Sequence, residues 1–272
     1  MQTNKRIYPS ERKPSKWMSY LLLFLSLVIV LSGLFSRGGD QSSIEAVTES
    51  TPPPLTDSFD ETRTTKEITL ERQAWYALQL GAFENETSAT EQAQLFRKRG
   101  AAGFLWHDNR FRVLAAVYPL KDDAQRVREQ LQENHAVDSY LFEITLPELR
   151  LRLTGMKGQL DILEAAFIHA DDTIAALQAL SLSLDRQEIS NQEAAQQIRL
   201  RSEQLYQVSA RLEQRFVQPR NTAVVQLIAF FADYSEFADS LDPSVSNATF
   251  SVAVKYQTLR SLWLLHQWRD TL

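Results

Sequence analysis

The chain contains no cysteine. That excludes disulfide staples, thiolate zinc sites, thiol nucleophiles and the lipid-bearing cysteine of a lipoprotein. Histidine is scarce as well: His107, His135, His169 and His266 are scattered, with no two at metal-ligand spacing. The nearest cluster, His169 with Asp171 and Asp172, reads as a solvated helix face. There is no Gly-rich phosphate loop and no Gly-x-Ser-x-Gly elbow. An excess of positive charge is also missing. The formal net charge is -5, whereas a nucleic-acid partner usually demands a basic face. These absences leave no catalytic residues, no metal site and no cofactor to expect. What remains is ordinary folded protein, 44% hydrophobic and 23% charged, with 272 residues giving room for two modest domains.

One long apolar run stands near the start. Residues 17–35, WMSYLLLFLSLVIVLSGLF, carry no charge. As a helix they would span roughly 28 Å, close to the ~30 Å hydrocarbon core, with every backbone group satisfied internally. Trp17 and Tyr20 suit an interface. Lys5, Arg6, Arg12, Lys13 and Lys16 precede the run, whereas Arg37, Asp40, Glu45 and Glu49 follow it. The positive-inside rule then makes residues 1–16 a cytoplasmic tail, 17–35 a single transmembrane helix, and the rest extracytoplasmic. A cleaved signal peptide competes with this reading, but Ser32-Gly33-Leu34 is a poor cleavage site. Residues 36–70 are rich in Ser, Thr, Asp, Glu and Pro, and read as a disordered linker stiffened at Pro52-Pro53-Pro54.

From Trp75 the texture alternates between strand and helix. WYALQLGAF reads as a strand with Tyr76, Leu78 and Leu80 on one face. Ser88 and Glu91 have capping-box spacing for a helix that closes at Gly100. AGFLWHD and RFRVLAAV follow as strands around a turn at Asp108-Asn109. A second helix runs from Lys121 to about Glu133, and Tyr140–Leu146 closes the unit. The order βαββαβ belongs to a ferredoxin-like sandwich over residues 71–146, with both helices on one face of a four-stranded sheet.

Ala77-Leu78-Gln79-Leu80-Gly81-Ala82-Phe83, an Ala-rich helix, Arg99-Gly100, Arg110-Phe111-Arg112-Val113, Val117-Tyr118-Pro119 and Asp122-Asp123-Ala124 occur in that order. With this order and spacing, residues 74–146 resemble the SPOR domain family. The resemblance implies binding to bacterial peptidoglycan glycan strands, especially those stripped of peptide at division sites, by the open face of the sheet. The family's contributing Gln and Arg fall on Gln79 and Arg112. Strand alternation adds Arg110 and Trp75 to the same open face. A guanidinium fork beside an amide and an indole suits acetamido-bearing, polyhydroxylated sugar. The chain departs from the family pattern at Ala82, at Arg110 and in Ala115-Ala116-Val117.

Residues 147–272 read as an all-α antiparallel bundle, so the whole chain is α+β. Leu149, Leu153, Met156, Leu160, Leu163, Phe167, Ala170, Ile174, Leu177, Ser181 and Leu184 make a coiled-coil-like heptad seam. A turn is expected at 185–192. A second seam follows through Ile198, Leu205, Val208, Leu212 and Phe216, and helices are expected over 222–241 and 250–265. One seam is a candidate surface for self-association or a protein partner. The apolar stretch 223–231 is too short to span a bilayer and reads as core.

Two functions are in view. One is a non-catalytic envelope protein that binds peptidoglycan, linked to cell division or sporulation. The other is an envelope scaffold with a degenerate SPOR-like unit, whose helices recruit protein partners. A nucleic-acid module of the same topology is disfavoured, because residues 74–146 carry eight Lys and Arg against ten Asp and Glu.

Overall fold

A computed structural model describes residues 62–217 and 222–270. The transmembrane segment expected at 17–35, the tail before it and the linker up to residue 61 lie outside the described residues. Among those described, no helix is long and apolar enough to cross a membrane.

Five of the twelve elements build the expected sandwich around strand β2 (Gln73–Phe83). Helix α1 (Glu86–Arg97), strands β3 (Phe104–His107) and β4 (Phe111–Tyr118), helix α2 (Lys121–His135) and strand β5 (Tyr140–Leu146) follow it. The sheet order is β3-β4-β2-β5 with every neighbour antiparallel, the split-βαβ arrangement. Leu78, Ala115 and Tyr118 pack on Ala124 of α2, and Val113 packs on Ala89 and Ala93 of α1. Tyr76, Leu80 and Phe111 join them on that face, as the alternation predicts.

Helix α1 starts earlier than its sequence signal. Asn85 is the N-cap, its Oδ1 accepting the Ser88 amide at 2.9 Å, so Ser88 lies inside the first turn. Both residue types favour a cap, and only the chain's exit from β2 decides between them. Gly103 enters β3 at φ +56°, and a Cβ there would sit 2.5 Å from the Ala93 carbonyl oxygen. Only glycine fits that approach.

Two strands appear where linker and helix were expected. β1 (Arg63–Leu70) and β6 (Leu149–Met156) form an antiparallel ribbon, from Arg63 opposite Met156 to Leu70 opposite Leu149. The linker reading therefore fails over 63–70, and the heptad seam fails at Leu149, Leu153 and Met156. Leucines spaced by four fit a helix, but LRLRLT also alternates strictly, and the alternation wins. Leu149, Leu151 and Leu153 turn inward while Arg150, Arg152 and Thr154 face out. Each strand's partner lies some eighty residues away, so the pairing is not evident from local sequence.

Four helices complete the fold: α3 (Lys157–Asp185), α4 (Asn191–Arg215), α5 (Thr222–Ser240) and α6 (Asn247–Arg269). From Leu160 to Leu184 every position of the first seam is buried. Contacts at the ends fix an up-down order. Gln159 donates to the Arg215 carbonyl at 2.8 Å, Asn191 to the Val245 carbonyl at 2.9 Å, and Asn247 to the Leu184 carbonyl at 3.1 Å. Ser190 and Glu193 close a capping box at the start of α4.

The bundle packs on the sheet face opposite α1 and α2, the face expected to be open. Trp75, Ala77, Phe104, Trp106, Leu114, Ile144 and Leu146 share one continuous core with Phe167, Ile174, Leu262, Leu265 and Trp268. Helix α6 packs on this face. Tyr256 meets Phe104 edge-on at 5.3 Å and carries the Arg97 guanidinium at 4.8 Å. Its last turn sets Arg269, with a fully buried side chain, between the two halves. Arg269 donates through Nη1 to the carbonyls of Glu71 and Pro147 and through Nη2, at 2.6 Å, to both carboxylate oxygens of Asp171, which also accepts from Gln73 at 3.1 Å. The His169-Asp171-Asp172 stretch is therefore not a solvated face. His169 is buried, and burial next to Arg201 pushes its pKa below the ordinary imidazole value.

Candidate functional site

The bundle leaves an end of the sheet partly uncovered, where β2 ends, β4 begins and β5 begins. Here β2 changes register between Ala77 and Gln79, and again between Gln79 and Gly81. Such irregularities re-aim side chains, and they lie on either side of Gln79. Gln79 stands opposite both Leu114 and Tyr140, and Arg112 stands opposite both Ala82 and Trp106.

The structure brings Gln79 and Arg112 together. Arg112 Nη1 donates to Gln79 Oε1 at 2.8 Å, and its Nε donates to Asp108 Oδ2 at 2.9 Å. Its guanidinium lies over the Phe142 ring, 4.6 Å from the centroid. Asp108 is itself held, its Oδ1 accepting the Arg110 amide at 3.0 Å. Burial acts upward on the Asp108 carboxyl, but the Arg110 amide and the Arg112 guanidinium outweigh it and hold the group below its ordinary value of 3.8. Arg112 is thus clamped on three sides, by a carboxylate, an amide oxygen and a ring face. Those contacts use Nε, Nη1 and the Gln79 oxygen, which leaves Arg112 Nη2 and the Gln79 amide group as fixed donors at the half-buried rim.

The other expected site residues separate. Arg110 is exposed at the β3–β4 turn, beside the pair. Trp75 is not on an open surface: it is 5% exposed, and its Nε1 donates to Gln73 Oε1 at 3.2 Å within the core under the bundle. The helices that bury it come roughly a hundred to two hundred residues later, so strand alternation gave its face correctly but not its cover.

Three residues belong to the site that the sequence reading missed. Phe142 is the floor under Arg112, Asp108 is its anchor, and Tyr140, 63% exposed, stands in phase with Phe142 at the open edge. The signal for the aromatics was available in the alternation of β5. Asp108 looked only like a turn former.

What the arrangement can do is bind. It offers planar, pre-oriented donors beside aromatic faces, a combination suited to sugar hydroxyl and acetamido groups. Among the described residues no group of three or more His, Asp and Glu side chains converges as metal ligands do. Neither the curated proteins nor the solved structures include a match to the chain. One family model does match it, described as the SPOR domain, over residues 71–142. SPOR domains are generally non-catalytic peptidoglycan-binding domains linked to cell division. The matched segment contains β2 through the start of β5, and with it Gln79, Asp108, Arg112, Tyr140 and Phe142. Residues 71–142 of this chain are a SPOR domain, with its Gln79–Arg112 pair at the one end of the sheet that the C-terminal helices leave open.

Proposed function

We propose that the chain is a non-catalytic bacterial cell-envelope protein that docks on peptide-free peptidoglycan glycan strands through the Gln79–Arg112 corner. The observation that carries this reading is the clamped Arg112 guanidinium inside a SPOR domain, at the sheet end that helix α6 does not cover. A guanidinium already fixed by Asp108, Gln79 and Phe142 loses little rotamer freedom on binding, so its remaining donors contribute fully. Arg110 and Tyr140 extend the corner outward. In this reading the segment 17–35 anchors the protein in the cell membrane as a single pass, with the folded part outside. The residues before strand β1 then act as the tether. The work would fall at division or sporulation sites, where stripped glycan is exposed.

The test is co-sedimentation of the purified full chain with isolated sacculi, before and after amidase treatment. Pelleting that rises with amidase treatment and is lost in Arg112→Ala supports the reading. Equal pelleting of wild type and Arg112→Ala, or none at all, removes it.

One observation favours a second reading. The bundle covers most of the sheet face, Trp75 included, and the SPOR unit then serves as a scaffold whose helices recruit protein partners. Failure to pellet under either condition is the result expected from that alternative.

A further inference from the structure

The open corner is bounded on one side by a residue that lies outside the SPOR domain. Trp106 is the direct cross-strand partner of Arg112, so their side chains stand side by side on the bundle-facing surface. The Trp106 ring also meets the Phe142 ring edge-on at 6.0 Å, and Phe142 carries the Arg112 guanidinium. Phe142 and Trp106 therefore make one aromatic floor. Against that floor, from the last turn of α6, stands His266, its ring perpendicular to Trp106 with centroids 5.1 Å apart.

His266 Nδ1 is buried and lies 3.4 Å from Asp270 Oδ2 without a hydrogen bond between them. With Nδ1 enclosed on that side, Nε2 is the ring nitrogen left to meet a ligand. The side chain is 25% exposed, the partial exposure of a residue at the rim rather than in the core.

We propose that His266 is a binding residue of the same corner, so that the glycan site is composite, with donors from the SPOR sheet and an acceptor from the C-terminal helix. This inference rests on the reading of the corner as a glycan site. The chemistry is complementary. Arg112 Nη2 and the Gln79 amide donate to sugar oxygens, whereas Nε2 of His266 accepts from a sugar hydroxyl or an acetamido N–H. Helix α6 then has two roles: it closes the sheet face over Phe104 and Trp106, and its last turn supplies the wall where the ligand stops.

The test titrates the purified full chain with soluble glycan strands released by amidase treatment, using wild type, Arg112→Ala, His266→Ala and His266→Gln. We expect His266→Ala to bind roughly fivefold more weakly, the effect of one hydrogen bond. His266→Gln, whose side-chain amide reaches the position of Nε2, recovers most of the loss. Wild-type affinity in His266→Ala alongside lost binding in Arg112→Ala overturns the composite site and leaves the glycan reading standing. Loss of affinity in both His266 variants together with a lowered melting temperature also overturns it, since the residue then only packs on Trp106. Absence of binding by wild type removes the glycan reading and this inference with it.

Discussion

Arg112 and Arg269 are both fixed arginines, and the difference in their burial sets what each contributes. Arg112 sits at a half-open rim, so its ion pair with Asp108 adds little to stability, and its importance lies in orientation. Asp108 reports on that orientation. Because the folded carboxyl titrates below 3.8, the contribution of the pair is present above that pH and is lost as the pH falls through the depressed value. In a carboxylate NMR titration, Asp108 should titrate below 3.8 in wild type and move upward in Arg112→Ala. An unmoved midpoint would mean that the clamp does not exist in solution. Arg269 is the opposite case. Its removal leaves Asp171 buried without a counter-charge, so Arg269→Ala should lower stability to urea by about 3–5 kcal/mol. Arg269→Lys should recover little of this, since an ammonium cannot reproduce the fork that serves Asp171 and two carbonyls at once.

Among the elements, helix α6 carries the most consequence. Without it Trp106, Phe104 and Leu114 would face water, so truncation after Asp242 should give an aggregating product that lacks sharp near-UV dichroism. Leu262→Ala, which opens a cavity between α6 and the sheet, should cost about 2–5 kcal/mol by chemical denaturation. A value near zero would place α6 away from the sheet. Several elements were legible because each has a local signature: alternation in β2 and β4, apolar spacing in α1 and α2, a seam in α3. The β1–β6 ribbon was not, since its strands pair across the whole SPOR unit and the leucines of β6 also fit the helical seam. The site was legible to a similar degree. Gln79 and Arg112 follow from strand phase and family resemblance, while the burial of Trp75 and the arrival of His266 depend on tertiary packing that no local pattern encodes.

Among the described residues one hydrophobic core joins two architectures, while two smaller clusters lie under α1 and α2. Trp75 and Ile144 of the sheet share that core with Phe167 and Trp268 of the bundle, and the Phe167 and Trp268 rings stack at 5.1 Å. The described part should therefore unfold in a single transition, with tryptophan fluorescence and far-ultraviolet dichroism coincident. Two separated transitions would mean that sheet and bundle are independent. That unity also shapes function, because the broad sheet face cannot be uncovered without breaking the core, and the ligand is confined to the corner. Hydrogen exchange on the full chain, with and without amidase-released glycan, tests this most directly. New protection is expected only in residues 79–83, 107–112 and 140–142 and the last turn of α6. Glycan-induced exposure of α6, with new protection around Trp75 and Ala77, would show that the helix lifts away and the sheet face itself binds, contradicting the account.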